Sequence, residues 1–245
     1  MGKLDGKTAL IAYAGGGIGK AIAEAFVAEG AKVIVQDDDA AKLAGVPGEQ
    51  VIADLRKKED ADKLIAKAGG KLNILVNNED HVIGGKLGKL TTEDFITTVD
   101  YNLKTIWHTL AAVYAGMKEA GGNISIINIG SVAGAAGIDK YADYSAVKAC
   151  LFGLTKTVAR EWSRFKNVRC NTIMTGQIKF SEGYTEQGIG KKAAKALSMN
   201  NPLASTVVKP QDIAKIAVFL ASDDSIAINA EMINAAGGLY TISGE

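Results

Sequence analysis

Cysteine, proline and histidine are all scarce in this chain, and neither sign of charge dominates it. Its 245 residues include two cysteines, three prolines and two histidines, and the formal net charge is +1. This balance gives no electrostatic basis for binding a nucleic acid, an acidic partner or a membrane surface. No apolar run is long enough to span a bilayer, and residues 1–14 lack the pattern of a signal peptide. We therefore expect a cytoplasmic protein with no nucleic-acid or membrane partner.

The few cysteines and histidines also argue against a fold that depends on disulfide bonds or on a metal ion. Cys150 and Cys170 both lie in apolar sequence, so we expect two reduced core thiols, which suits the cytoplasm. His81 follows Glu79 and Asp80, but three consecutive residues in a loop have no helical spacing that would converge on an ion. We therefore expect no metal site.

What the chain does contain is a series of short apolar runs separated by helical periodicity. Near-continuous apolar strands between helices are typical of a parallel sheet that is covered on both faces. We predict an α/β fold with a single doubly wound parallel β-sheet, a Rossmann-type three-layer α/β/α arrangement, over one domain of residues 1–245. The polar, weakly periodic stretch 176–203 is interpreted as a flap over a substrate. The predicted strands are 8–13, 32–36, 50–53, 72–77, 123–129, 167–174 and 231–234, and the main helices are 18–29, 57–68, 100–119, 144–165 and 211–222.

A glycine-rich turn joins the first strand to the first helix. Glycines at 15–17 and 19 would let the backbone approach a ligand closely, and the helix N-terminus would attract a pyrophosphate. The same turn could also serve helix–sheet packing alone. Together with its strand–turn–helix context, it favours nucleotide binding.

An acidic run ends the second strand, about twenty residues after the glycine turn. A carboxylate at Asp37 could accept hydrogen bonds from ribose hydroxyls, and it would repel a 2′-phosphate. Asp38 and Asp39 add negative potential, and no lysine or arginine stands immediately beside them in sequence. The pattern favours NAD over NADP. The alternative is that Asp37 is solvated and Asp39 caps a short helix.

Tyr144 and Lys148 are four residues apart, which is one helical turn. A phenol has an ordinary pKa of about 10, so by itself it exchanges protons poorly near neutral pH. A fixed ammonium one turn away stabilises the phenolate and lowers that pKa. Such a pair could pass a proton to or from an alcohol or ketone oxygen, although the spacing alone also fits an amphipathic helix.

These features stand in an order that resembles the classical short-chain dehydrogenase/reductase family over nearly the whole chain. Ser131 precedes Tyr144 by the family's spacing of thirteen residues. The other matching positions, in chain order, are the glycine turn 15–19, Asp37, Asp54 with Leu55, Asn77 with Asn78, Asn102, the strand 127–131, Lys148 and the strand 168–171.

The resemblance implies an NAD-dependent oxidoreductase that interconverts a secondary alcohol and a ketone by hydride transfer. Tyr144 would be the general acid/base, and Lys148 would lower its pKa and hold the nicotinamide ribose. Ser131 would bind the substrate oxygen, and Asn102 would anchor a water that links Lys148 to solvent. Without the resemblance, Ser131 could be a turn serine and Asn102 a helix residue bonded to a carbonyl.

The resemblance also implies a cofactor site and an assembly. Helices 100–119 and 144–165 would pair across subunits in a homotetramer or a homodimer. The residues expected to contact NAD are Gly15, Gly17, Ile18, Asp37, Asp54, Leu55, Asn77, Tyr144, Lys148, Gly176 and Ile178.

The chain departs from the family's pattern in the wall of the cofactor site. Tyr13 replaces the first glycine of the turn, where a side chain would crowd the adenosine half. Glu79 and Asp80 replace the usual Ala-Gly, and they would repel a pyrophosphate unless they point outward.

Two interpretations follow from these departures. One is a working enzyme with a reshaped NAD site. The other is a fold with weakened or lost dinucleotide binding, either a non-redox enzyme that uses Ser131 and Tyr144 or a non-catalytic binding protein. The retained Lys148 and Asp37 favour the first.

Overall fold

A single parallel sheet organises the chain. The computed structural model describes residues 1–120, 123–176, 178 and 208–238, and the side chains of 118–120 are outside the description. The described strands pair side by side in the order β3-β2-β1-β4-β5-β6-β7, all parallel, which confirms the predicted doubly wound fold. Most of the predicted flap at 176–203 lies outside the described residues. The strands are β1 (Thr8–Ala12), β2 (Lys32–Asp37), β3 (Glu49–Ile52), β4 (Leu72–Asn77), β5 (Ile124–Ser131), β6 (Val168–Thr175) and β7 (Met232–Ala235).

Helices cover both faces of the sheet, each close to its predicted position. A shorter helix precedes the long one predicted at 100–119, and it begins at Thr92, where Thr91 and Asp94 form a reciprocal capping box. The described helices are α1 (Gly17–Ala28), α2 (Lys58–Ala66), α3 (Thr92–Val99), α4 (Thr105–Ala120), α5 (Ala133–Ala136), α6 (Ala142–Glu161) and α7 (Pro210–Ala221), with a π-helical turn (Asp100–Lys104) between α3 and α4.

The core is divided into two layers by the sheet. On one face, α1 and α7 bury an apolar cluster that includes Phe26 and Ile213. On the other face, α2, α4 and α6 bury a second cluster that includes Leu64, Leu110 and Leu151. Every residue of β5 and β6 is buried, as expected of central strands with helices on both sides.

The strand order reverses next to β1, and this reversal indicates where a ligand site is expected. From β1 the chain proceeds outward to β2 and β3 and then returns to β4 on the other side of β1. In open α/β sheets, ligands bind in the crevice at the carboxyl ends of the strands at such a switch point. The glycine turn, Glu79, Asp80 and Ser131 all lie at this edge.

The two cysteines differ, which corrects the expectation of two core thiols. Cys170 is buried on β6, and burial raises the pKa of its thiol to about 12. Cys150 is exposed, because it lies on the outer side of α6.

Among the described helices, none is both long and apolar enough to cross a membrane.

Candidate active site

Helix α6 presents Tyr144 and Lys148 side by side in the interior, as their spacing predicted. The lysine is 1% exposed, and its ammonium lies 5.4 Å from the centre of the tyrosine ring. Its Nζ donates hydrogen bonds to the backbone carbonyls of Glu79 and Ile129. Burial lowers the pKa of Lys148, while the negative charge of Asp80 and, once its carboxyl is ionised, that of Glu79 act in the opposite direction.

Ser131 ends β5 directly beside the tyrosine. Its Oγ accepts a hydrogen bond from the backbone N–H of Ala133 at 3.1 Å, which fixes the side chain at the start of the next turn. A hydrogen bond with this serine tends to lower the pKa of Tyr144. The structure therefore brings together the predicted trio of Ser131, Tyr144 and Lys148.

A contact that the sequence did not predict involves Asp80. The Tyr144 hydroxyl donates a hydrogen bond to Asp80 Oδ1 at 2.6 Å. Burial, followed by the negative charge of Asp80 and this hydrogen bond, raises the pKa of Tyr144 well above its ordinary value. The sequence predicts Asp80 as a repulsive charge near a pyrophosphate and not as a metal ligand, but its place directly after β4 puts it at the same sheet edge as Ser131.

Asn102 lies in the π-helical turn and binds the loop that follows β4. Its Oδ1 accepts the His81 backbone N–H at 3.0 Å, and its Nδ2 donates to the carbonyls of His81 at 2.8 Å and Thr98 at 2.9 Å. Single π turns are frequent at functional sites. Asn102 thus anchors the loop that carries Glu79 and Asp80, while its role as a water anchor stays a prediction.

Glu79 points inward, whereas an outward direction was the condition under which the sequence predicts no repulsion of a pyrophosphate. It is 1% exposed, and neither carboxyl oxygen has a hydrogen-bond partner among the described residues. The nearby Thr105 hydroxyl tends to lower the carboxyl pKa, but it donates its proton to the Tyr101 carbonyl at 2.8 Å. Burial outweighs this hydroxyl and the charge of Lys148, and it raises the pKa of Glu79 to about 8. The carboxyl is therefore protonated at neutral pH.

This buried acid makes a testable contribution to stability. Between the ordinary carboxyl pKa and about 8, the folded state holds a proton that the unfolded state has released, so rising pH destabilises the fold. The slope from this group is about 1.4 kcal/mol per pH unit. We expect Glu79→Gln to remove it, which urea unfolding at several pH values between 5 and 8 would measure. Identical pH dependence in the wild type and the variant would contradict a protonated Glu79.

The glycine turn closes onto the end of β2. The Gly15 N–H donates to Asp37 Oδ2 at 3.1 Å, and a Cβ at Gly15 would stand 2.5 Å from that oxygen. Gly17 has a φ of 48°, in the left-handed region that favours glycine. No described side chain caps the first turn of α1, so its backbone N–H groups remain available to an anion.

Tyr13 adopts a backbone conformation that suits the glycine it replaces. Its φ is 52°, a left-handed conformation that costs a residue with a Cβ roughly 1–2 kcal/mol. Gln36 accepts its N–H at 3.0 Å and Asn78 donates to its carbonyl at 2.9 Å, so both neighbours hold this conformation. The hydroxyl is buried and has no hydrogen-bond partner among the described residues. Burial, and then the charge of Glu79, raises its pKa.

Lys42 corrects the interpretation that no cation stands near the acidic run. Its Nζ lies 3.2 Å from Asp37 Oδ1 and 2.9 Å from Asp38 Oδ1. The turns that follow β2 return the lysine to the strand end, where adjacency in sequence does not reveal it. Asp37 is 3% exposed, so the alternative of a solvated carboxylate is wrong. Burial raises the pKa of Asp37, and Lys42 opposes that effect.

A stack of flat side chains lies beside Asp54. The Asp54 carboxylate accepts hydrogen bonds from Arg56 at 2.8 and 3.0 Å. The Arg56 guanidinium lies 4.3 Å from the centre of the Tyr101 ring, and the His81 ring stacks on Tyr101 at 4.2 Å. Leu55 is fully buried in the second apolar cluster, so its side chain belongs to the core.

Asn77 has a structural task in the interior. Its Nδ2 donates to Asn128 Oδ1 at 2.9 Å, and its Oδ1 accepts from the Thr109 hydroxyl at 2.9 Å. These bonds join β4 to β5 and α4. The structure therefore gives the side chain of this predicted cofactor residue two partners within the fold.

The remaining predicted contacts are apolar or backbone positions. Ile18 and Ile178 are both buried in the apolar cluster on the α1 face. A Cβ at Gly176 would lie 2.7 Å from the Cβ of Ala236, so only glycine fits there without displacement.

Within the described ranges, no group of three or more histidine, cysteine or acidic residues could hold a metal ion.

Comparisons with known proteins agree with this geometry. A family model described as enoyl-(acyl carrier protein) reductase matches residues 12–240. A 3-oxoacyl-[acyl-carrier-protein] reductase of Thermotoga maritima is 34% identical over 97% of this chain and 99% of its own. A D-threitol dehydrogenase of Mycolicibacterium smegmatis is 33% identical over 98% of this chain and 95% of its own. The crystal structure of levodione reductase superposes with a TM-score of 0.87 at 26% identity, and the match covers 97% of this chain and 99% of that one.

Proposed function

Because the chain belongs to the short-chain dehydrogenase/reductase family of oxidoreductases, we propose that it interconverts a secondary alcohol and a ketone with NAD as its cofactor. The observation that carries this proposal is the convergence of Tyr144, Ser131 and Lys148 at the crevice beside β1. A phenol, a serine hydroxyl and a buried ammonium at one point suit proton exchange with a substrate oxygen.

The residues at the crevice fit a dinucleotide. Gly15 leaves space where a Cβ would clash, and the first turn of α1 offers uncapped N–H groups for a pyrophosphate. Asp37 stands where ribose hydroxyls would meet it. Gly17, Ile18, Gly176 and Ile178 would line the backbone and apolar parts of the site, and Asp54 would face the adenine end.

Each catalytic group has a distinct task in the proposed mechanism. Bound NAD would supply the hydride acceptor or, when reduced, the hydride. Tyr144 would take the proton from an alcohol, or give one to a ketone oxygen, at its Oη. Lys148 would favour the phenolate and hold the ribose, and Ser131 would hold the substrate oxygen in line. Asn102 would keep the loop after β4 in place and serve the proton path from Lys148.

The preference for NAD over NADP rests on the charges at the end of β2. Asp37, Asp38 and Lys42 carry a net charge of −1, so a 2′-phosphate would meet net repulsion. Lys42→Ala should increase the ratio of kcat/KM for NAD over NADP by about tenfold, because it removes the only positive charge of this trio. Lys58→Ala on α2 is the matched control, since Lys58 pairs with Asp62 on the surface. An unchanged ratio, or a wild type that prefers NADP, would contradict the assignment.

Turnover is the direct test of the proposed reaction. The protein is mixed with NAD and a panel of secondary alcohols, and with NADH and the matching ketones, while the absorbance of NADH is followed. We expect exchange with at least one pair. Failure of every pair, together with no binding of NAD or NADP, would refute the proposal.

A second candidate is a protein of this family with weakened or lost dinucleotide binding, either a non-redox enzyme that uses Ser131 and Tyr144 or a binding protein. The inward Glu79 and the strained Tyr13 at the crevice favour it. Binding of NAD separates the two candidates, because only the first requires it.

A homotetramer, or a homodimer, in the cytoplasm completes the proposal. Large apolar side chains are exposed on α3 and α4, where Phe95, Ile96 and Trp107 are 45%, 53% and 62% exposed. Pairing of such helices between subunits would cover them, and gel filtration tests this assembly.

A further inference from the structure

The proposed reaction requires the Tyr144 hydroxyl to hydrogen-bond the substrate oxygen, yet in this structure Asp80 holds that hydroxyl. Its Oδ1 accepts the phenolic proton at 2.6 Å, so the carboxylate occupies the position in which a ketone oxygen would accept it. We propose that Asp80 is a positioning residue of the active site: it keeps Tyr144 protonated in the resting enzyme and must yield its hydrogen bond to the substrate. This inference rests on the proposed function.

Groups with opposite effects on the pKa of Tyr144 surround its hydroxyl. Burial favours the neutral phenol most, and Asp80 favours it further by its charge and its hydrogen bond. The ammonium of Lys148 on α6, 5.4 Å from the ring centre, would favour the phenolate. Ser131 at the end of β5 favours the phenolate through its hydroxyl. Burial raises the pKa of Glu79 to about 8, and Glu79 is not among the groups that shift the pKa of Tyr144. Burial and Asp80 therefore both favour the protonated phenol, and of these two the Asp80 carboxylate is the one that a single substitution can remove.

The neighbouring acid does not share this role. Asp143 precedes Tyr144 in sequence, but its Oδ2 accepts the Thr98 hydroxyl at 2.8 Å. This bond joins the first turn of α6 to α3. Asp80 is therefore the described carboxylate that contacts the catalytic hydroxyl.

Asp80 lies in a loop that its sequence neighbours anchor. It is exposed, and it comes just before the segment that Asn102 anchors through both backbone groups of His81. Lys148 holds the other side of the loop through the Glu79 carbonyl. Removal of the Asp80 carboxylate would leave these anchors intact, because none of them involves its side chain.

Two substitutions separate the charge from the hydrogen bond. Asp80→Asn keeps the size and an acceptor oxygen, whereas Asp80→Gly removes both. Titration of Tyr144, followed by NMR of protein labelled with carbon-13 at the tyrosine ring and assigned with Tyr144→Phe, should show a lower pKa in both variants. Each unit of decrease multiplies the phenolate fraction by about ten at any pH below that pKa.

The rates should move in the same direction. Alcohol oxidation needs the phenolate, so kcat/KM rises with pH through the pKa of Tyr144, and this rising limb should shift to lower pH in Asp80→Asn. Asp80→Gly should in addition lower the KM for the ketone more than it changes kcat, because the competing acceptor is gone. Asp62→Asn on α2 makes the same change in net charge and should leave both profiles unchanged.

The titration tests the role of Asp80, and the rates and NAD binding test the proposed function, so the two claims can be refuted separately. A shifted Tyr144 titration in a protein that oxidises no alcohol and binds no NAD would support the Asp80 contact and refute the proposed function. An active enzyme in which neither the titration nor the pH limb moves in Asp80→Asn would refute the role of Asp80 and leave the proposed function standing.

Discussion

Tyr144→Phe is expected to lower kcat for alcohol oxidation by about 10²- to 10⁴-fold, the range that a positioned general acid/base contributes. The substitution removes only the hydroxyl, so the ring would remain packed in its buried position beside Lys148. The affinity for NAD should stay nearly unchanged. Initial rates give the first quantity, and thermal melting in the presence of NAD gives the second.

The matched control for this variant is Tyr141→Phe, one helical turn earlier. Tyr141 packs against Gly84 in the loop after β4 rather than beside Lys148. It should retain most of the wild-type rate. If Tyr144→Phe retained most of its rate as well, another group would have to carry the proton.

Lys148→Met is expected to cause a loss of similar size, with a change in pH dependence that identifies its cause. Removal of the ammonium leaves Asp80 as the main charge on Tyr144, so the phenol pKa should rise and the rising limb of oxidation should move to higher pH. This is the reverse of the shift expected for Asp80→Asn. The pH profile of kcat/KM measures it.

Stability must be measured alongside this second variant. The backbone carbonyls of Glu79 and Ile129 lose their donor when Lys148 is replaced, while the burial of a charge is relieved. Urea unfolding shows whether the variant is folded under assay conditions. A folded Lys148→Met with the wild-type pH profile would show that the lysine does not govern the acidity of Tyr144.

The fold could be predicted from local signals. Central strands such as β5 and β6 are buried on both faces, so they appear in sequence as apolar runs. The glycine turn is equally local, because Gly15 and Gly17 are required by a close approach to Asp37 and by a positive φ. Tyr144 and Lys148 are one turn apart on one helix, and their proximity follows from that spacing.

The contacts that modify the site could not be predicted, because they join distant parts of the chain. Asp80 and Tyr144 are 64 residues apart and meet only because the carboxyl ends of β4 and β5 share an edge. Lys42 reaches Asp37 through turns that no helical or strand period describes. The loop that carries Glu79 is held by Asn102 and Lys148, which are also distant from it in sequence.

Cys150 shows a different limit of sequence reasoning. An apolar neighbourhood in sequence predicted burial, but on a helix only one face is buried, and Cys150 lies on the other. The same argument explains why Trp107 is exposed although its helix is largely apolar.

Thermal melting with increasing NAD tests the central claim most directly, since every proposed role depends on a dinucleotide held at the glycine turn beside Tyr144. The account predicts a saturable rise in the melting temperature, equivalent to about 2.7 kcal/mol at one hundred times the dissociation constant. A melting temperature that stays constant at millimolar NAD and millimolar NADP would contradict it.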